Sequence, residues 1–246
     1  MTSNLLISGG PLHDFAASSG ALVEVFTEAS VESTVFDDPR AALSELAAEP
    51  KAWDLVTVNA LRWEMASHRH AAHRDSWAFA LREEEAHTLD LHVRAGGALL
   101  ACHTATICFD SHPRWAGLIG ATWNWERSSH PPQSLARVRP TAAGRKHSIT
   151  SGCQEFDTND EIYGFLDYAP GLVPLLTSRH GGTDHPVLWA RSVGKGRVVT
   201  DLLGHDAQAM RQPEHREILA RAARWMCDQQ SPSVECNDTE RSSTSP

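Results

Sequence analysis

The sequence predicts an α/β protein: a mostly parallel sheet with helices on both faces and a β-rich second half. Two observations carry this expectation. In the first hundred residues, short apolar runs alternate with longer segments of helical periodicity, the signature of strand–helix units whose strands lie parallel. From about residue 135 to residue 202, strand-like runs follow one another with only short turns between them.

Taken in order, Leu5, Leu6 and Ile7 run into Gly9 and Gly10, which reads as a buried strand opening onto a loop. Phe15, Leu22, Phe26 and Ala29 recur at helical spacing over residues 14–29. Residues 32–36 form the second strand, and 39–48 a short helix with proline at its start. Residues 53–58 (WDLVTV) form the third strand. Ser76 is placed to cap a helix running to about residue 94, ended by Gly96 and Gly97. Residues 98–102 (ALLAC) form the fourth strand, closed by a tight turn at His103. Residues 135–138, 161–166, 173–176, 186–190 and 196–202 read as the later strands. The glycines of GKGRV (194–198) make a hairpin turn. Lys195 is not a phosphate-loop lysine, because GxxxxGK[ST] is absent. Pro213 opens a last helix with Ile218, Leu219, Ala222, Trp225 and Met226 on one face. Residues 229–246 are polar and Ser/Thr-rich and are expected to be disordered, leaving one domain over 1–228.

The bulk numbers narrow the function classes. A chain of 246 residues with 41% hydrophobic and 22% charged residues supports one sizeable core without staples. A formal net charge of −9 and no basic stripe argue against a nucleic-acid or anionic-membrane partner. The five cysteines are odd in number and show no CxxC spacing, so neither a disulfide framework nor a zinc ribbon is indicated. The start has no basic segment or long apolar run, and no stretch approaches the ~20 residues of a membrane span. These features point to a cytoplasmic protein.

The segment GGALLACHTATICF (96–109) carries the sharpest chemical signal. A strand ending in a residue with small side chains two places before and after it can make a strained elbow. Ala101 and Ala105 stand so around His103, where elbow hydrolases carry Ser or Cys. Cys102 should point back into the sheet. An ordinary strand end with a half-buried histidine fits the same residues.

Further short polar motifs fall at strand ends. They are Gly9-Gly10 with His13-Asp14, His130-Pro131, His147-Ser148-Ile149, Asp160-Glu161 with Tyr163, Pro186-Val187 with Trp189, GKGRV and Gly204-His205. In order and spacing these resemble the trehalose-utilisation (ThuA-like) family over about residues 4–225. The family's GGG before the strand stands here as Gly96-Gly97-Ala98, and its GLH as Ala101-Cys102-His103. The resemblance implies a class I glutamine amidotransferase-like fold without the cysteine nucleophile. It also implies a role with trehalose or related disaccharides, often in a 3-keto form made by a partner dehydrogenase.

With that resemblance, His13, His103 and His205 are read as acid–base residues at the carboxyl edge of the sheet, where open α/β sheets bind ligands. Of Asp160 and Glu161, one is expected to cap or pair and the other to orient a histidine. Asp14 is either a ligand group or a plain helix N-cap. His130 sits in a loop and is equally a substrate contact or a bystander. Trp123 and Trp125 could stack on a sugar face, while Tyr163 and Trp189 fill the core or a pocket wall. His68, His70 and His73 are expected in a solvent-facing loop. A 3-keto sugar has acidic protons beside its ketone, so a base, an acid and an oxyanion holder would allow isomerisation, epimerisation or elimination. A divalent metal such as Zn could instead act as electrophile, with His103, His130 and His205 as ligands, although no HExxH spacing supports it. The alternatives are a cysteine-dependent amidotransferase-like hydrolase and a non-catalytic sugar-binding or regulatory protein. A homo-oligomer is compatible with all three.

Overall fold

Leu6 faces one layer of helices while Leu5 and Ile7 face the other, so burial on both sides pins the first strand at the middle of a sheet. The computed structural model describes residues 1–109 and 112–228; the expectation for 229–246 lies outside them. The strands are β1 (Thr2–Gly9), β2 (Val31–Phe36), β3 (Leu55–Ala60), β4 (Ala98–Cys102), β5 (Ala121–Thr122), β6 (Ser134–Pro140), β7 (Phe156–Asp160), β8 (Asp167–Tyr168), β9 (Pro174–His180), β10 (Thr183–Val193) and β11 (Gly196–Asp201). The helices are α1 (Phe15–Glu28), α2 (Pro39–Ala48), α3 (Ala71–Trp77), α4 (Glu83–Ala95), α5 (Pro113–Ile119), α6 (Ala207–Met210) and α7 (Pro213–Cys227).

Nine strands share one sheet in the order β2-β1-β3-β4-β11-β10-β9-β6-β7, and β5 pairs with β8 apart from it. The first five are parallel to one another, and the remaining four continue antiparallel. The parallel part has the flavodoxin-like strand order, with β11 in the fifth place. Apolar faces of α1 and α7 cover one side of the sheet; those of α2, α4 and α5 cover the other. β3 and β4 are buried along their whole length; β4 reads as an uninterrupted apolar run, while β3 buries Thr57 and Asn59 with their side chains hydrogen-bonded. Each fully buried Leu, Ile or Val there contributes about 1.5–3 kcal/mol.

Two expected elements differ. The helix expected from Ser76 to residue 94 is broken into α3 and α4. Between them the Phe79 N–H donates to the Trp63 carbonyl, and Phe79 and Leu81 are buried, which pulls the backbone out of helix. Glu85 then accepts from the Arg82 N–H at 2.8 Å and restarts it, with Glu83, Glu84 and Glu85 favourably placed in the first turn. Residues 161–166 are not a strand. The strand is β7, just before them, and Ile162, Tyr163 and Leu166 are buried from a loop that passes through Phe165 at φ +60°. A buried loop and a buried strand carry the same apolar run.

The antiparallel half does not lie flat. Four strand spacings of about 4.8 Å would hold β7 about 19 Å from β11. Yet the Asp160 carboxylate, at the end of β7, accepts hydrogen bonds from the Gly204 N–H at 2.8 Å and the His205 N–H at 3.1 Å, just beyond β11. The half-sheet must therefore curl over the carboxyl edge of the parallel strands. A register shift between β10 and β9 at Pro186, Leu188 and Trp189 supplies a bulge of the kind that bends a strand. Among the described residues, no helix is long and apolar enough to cross a membrane.

Candidate functional site

The carboxyl ends of β1, β4 and β11 each lead into a histidine. After β1 the chain turns through Gly10 at φ +150°, where a Cβ would lie 2.5 Å from the Leu61 carbonyl oxygen. Only glycine fits, and the turn carries His13 to the sheet edge. After β4, His103 itself takes φ +41°, a left-handed conformation that is strained for a residue with a side chain. Ala101 and Ala105 beside it are completely buried, so the elbow tolerates no bulk there. A short 3-10 turn, His103–Thr106, follows in place of a full helix. After β11, Gly204 at φ +94° would place a Cβ 2.5 Å from Met210 Cε, and it hands on to His205.

These three rings meet. Centroid separations are 4.6 Å for His13–His205 and 5.5 Å for both His13–His103 and His103–His205. The carboxylate among them is Glu161. Its Oε2 lies 3.1 Å from His205 Nδ1, 3.4 Å from His130 Nδ1 and 3.8 Å from His103 Nε2. Asp160 plays a different part. Fully buried, it accepts N–H bonds from Gly204, His205 and Glu161 and so fixes the backbone that carries the other groups. Glu161 faces the cluster and Asp160 builds it.

The protonation states follow from the surroundings. His103 Nδ1 is 2.8 Å from the Leu202 carbonyl. A carbonyl only accepts, so Nδ1 carries a proton and Nε2 is the atom that faces the cluster. Burial, then the neighbouring His103 and His205, push His13 down to about 3, leaving it neutral. Burial alone would raise Glu161, but the imidazoles of His103, His205 and His130 gathered around it hold it well below the usual carboxylate range. Glu161 in return raises His205. The four residues His13, His103, Glu161 and His205 offer ligand atoms that all lie within 4.8 Å of one another. His130, an expected ligand, is not among them; it sits at the rim beside Glu161.

An aromatic wall continues from the cluster. Tyr163 packs on His103 at 4.6 Å and on His130 at 5.1 Å, and Trp123 packs on Tyr163 at 5.1 Å. Trp125, 42% exposed, follows 6.2 Å from Trp123 and stacks on Trp63 at 6.1 Å. Tyr163 is buried, so it backs the wall more than it presents a face. Asp14 lies apart from the cluster: it is the exposed N-cap of α1, accepting from the Ala17 N–H at 3.0 Å. Trp189 is core, donating to the Ile119 carbonyl at 2.7 Å. His147 packs on Trp225, away from the cluster. Lys195 forms the β10–β11 turn. Cys102 is buried in the sheet, and burial followed by the charge of Asp201 raises its thiol pKa well above the ordinary value.

Sequence reasoning passed over three features. Trp63 follows β3 at the same carboxyl edge, a position that could have marked it. His70 is not solvent-facing but sits edge-on to Trp63 at 5.0 Å. A fully buried pair, His215 Nε2 and Asp201 Oδ2 at 2.7 Å, ties α7 to β11.

No curated protein sequence is matched by the chain. Its structure is similar to that of a ThuA-like protein from Parabacteroides merdae, with TM-score 0.69 and 18% identity, covering 92% of this chain and 90% of that one. A ThuA-like protein from Bacteroides uniformis gives TM-score 0.65 and 13% identity, with 92% and 91% covered. A protein of Salmonella typhimurium described as cytoplasmic gives TM-score 0.61 and 12% identity, with 92% and 99% covered. At such identities the likeness is one of fold. The sequence itself matches the ThuA family, described as trehalose utilisation, over residues 23–226. With that match spanning most of its length, the chain belongs to the trehalose-utilisation (ThuA) family.

Proposed function

We propose that the protein is an enzyme acting on a disaccharide or its 3-keto derivative by histidine and carboxylate acid–base chemistry. The observation that carries this reading is the single carboxylate, Glu161, within 3.8 Å of three imidazoles at the carboxyl edge of the sheet. In this reading the inner cluster neutralises the oxygen that gains charge when a proton leaves the carbon beside the ketone. His205, whose hold on its proton Glu161 strengthens, donates toward that oxygen. His130 stands at the rim, its Nδ1 3.0 Å from the Pro131 carbonyl, which leaves Nε2 as a proton acceptor. Trp125 offers the sugar an apolar face, with Trp123 and Tyr163 behind it. The ketone would come from a reaction that oxidises a sugar hydroxyl.

The cysteine-dependent reading finds no support in a buried Cys102. Cys108, also buried, donates to the Ala60 carbonyl. The test is incubation of the protein with 3-ketotrehalose in D2O, followed by NMR. Deuterium entering the carbons flanking the ketone, with isomerised, epimerised or cleaved product, is the expected result. Binding of the sugar with neither exchange nor product would instead favour a non-catalytic binding protein.

A further inference from the structure

We infer that His13, His103, His205 and Glu161 form a site for one divalent transition-metal ion of the zinc class, closed by the curl of the antiparallel half-sheet. The inference deepens the reading of the site above and rests on it for the ion's use, though not for its binding.

Four ligand atoms from four separate segments converge within 4.8 Å of one another. Nitrogen and oxygen ligands held about 2.1 Å from a tetrahedral zinc-class ion lie about 3.4 Å apart. The widest pair would therefore close by about 1.4 Å at most, a side-chain adjustment. The second observation is independent of spacing. His13 Nδ1 and Nε2, His103 Nε2 and His205 Nδ1 are all buried without a well-aligned hydrogen bond; their nearest polar neighbours are the Pro11 carbonyl for His13 and the Glu161 carboxylate, 3.1 Å from His205 Nδ1. His103 is 98% buried by residue, with 2% exposure. Buried polar atoms in native proteins are almost always bonded, so several such nitrogens in one place require an explanation. One carboxylate cannot satisfy every ring nitrogen of the three imidazoles gathered around it. A cation can satisfy all three.

The outer groups fit as well. His103 donates its other N–H to the Leu202 carbonyl, the arrangement that fixes a ligating imidazole in orientation and tautomer. The Asp160 carboxylate holds the backbone of both Glu161 and His205. Three imidazole nitrogens and one carboxylate oxygen form a borderline donor set, suited to Zn2+ and its neighbours and poorly suited to Mg2+ or Ca2+. The ion would supply the positive charge that the reading above assigns to the His205 proton, and His130, outside the four, keeps its proton-transfer role. The absence of HExxH spacing is no obstacle, because the ligands come from residues 13, 103, 161 and 205.

The experiment strips the full chain with chelator and titrates it with Zn2+, or with Co2+ as a visible probe, following uptake by elemental analysis and by the Co2+ ligand-field spectrum. The expected result is one ion per chain. Glu161→Gln, which preserves shape, and His103→Ala should each weaken binding by at least roughly 10–100-fold, the loss known even for groups that only support a ligand. His130→Ala should still bind one ion. Circular dichroism and the urea unfolding midpoint check that the variants fold. Failure of the folded wild-type chain to take up either ion, or unchanged uptake in both ligand variants, would overturn the site. Turnover of 3-ketotrehalose at full rate by the stripped chain would overturn the ion's role while upholding the acid–base reading. Stoichiometric, variant-sensitive binding without turnover would uphold the metal site and remove the sugar chemistry.

Discussion

Three imidazoles reach the site from the parallel half of the sheet, and both carboxylates reach it from the antiparallel half. The parallel half works by a local rule: a strand ends, a turn follows, and the residue after the turn lies on one common edge. Gly10, the strained His103 backbone and Gly204 are three versions of that turn. The antiparallel half works at long range. β7 is four strands from β11 and arrives only because the sheet bends back until Asp160 bonds the backbone after β11. The difference teaches that chemistry set by strand ends is robust to changes elsewhere, whereas chemistry set by a bend depends on the few bonds that hold it.

Breaking the parallel contribution should have the largest effect. His103→Ala is expected to lower turnover of the 3-keto sugar on the order of 10²–10⁴-fold. Its stability cost should be modest, about 1 kcal/mol for the lost bond to Leu202. Steady-state kinetics beside urea unfolding separates the two. Near-normal specific activity in a destabilised variant would make His103 a packing residue.

Breaking the bend should act on stability first. Asp160→Ala leaves the Gly204 and His205 N–H groups without their buried acceptor, which should cost about 3 kcal/mol. Urea denaturation measures it, and a loss below about 1 kcal/mol would mean that something else holds the curl.

The join between the halves has its own pH signature. Burial alone would lower His215, but Asp201 beside it raises the pKa to about 9. A raised folded-state pKa stabilises fully below the unfolded value of about 6.5 and is lost as pH rises through about 9. Stability should therefore fall by about 3 kcal/mol between pH 6.5 and 9.5 in the wild type. Unfolding curves of His215→Gln should show little of this slope; an equal slope would assign it elsewhere. The smallest effect is expected at Cys102. Cys102→Ser should leave turnover unchanged, and iodoacetamide should do the same; inactivation that tracks alkylation of Cys102 would revive a thiol mechanism.

The sequence by itself determined the strand ends of the parallel half and the histidines beyond them. Uninterrupted apolar runs and the glycines next to them report local backbone and burial, which neighbouring residues decide. It also isolated the acidic pair Asp160-Glu161, yet not their division of labour. Adjacent residues at the end of a strand point to opposite sides, so naming the one that faces the histidines requires the direction of the curl. The same limit hid Trp63 and His70, which meet Trp125 only after distant loops pack. It also made the buried loop 161–166 read as a strand and the interrupted 76–94 as one helix, because apolar periodicity records burial and not which partner supplies it. Which carboxylate, which aromatic face and which nitrogen atoms share one centre were settled by the tertiary structure. Strand pairing across four neighbours is a sum of many long-range contacts, and no single segment of the chain encodes it.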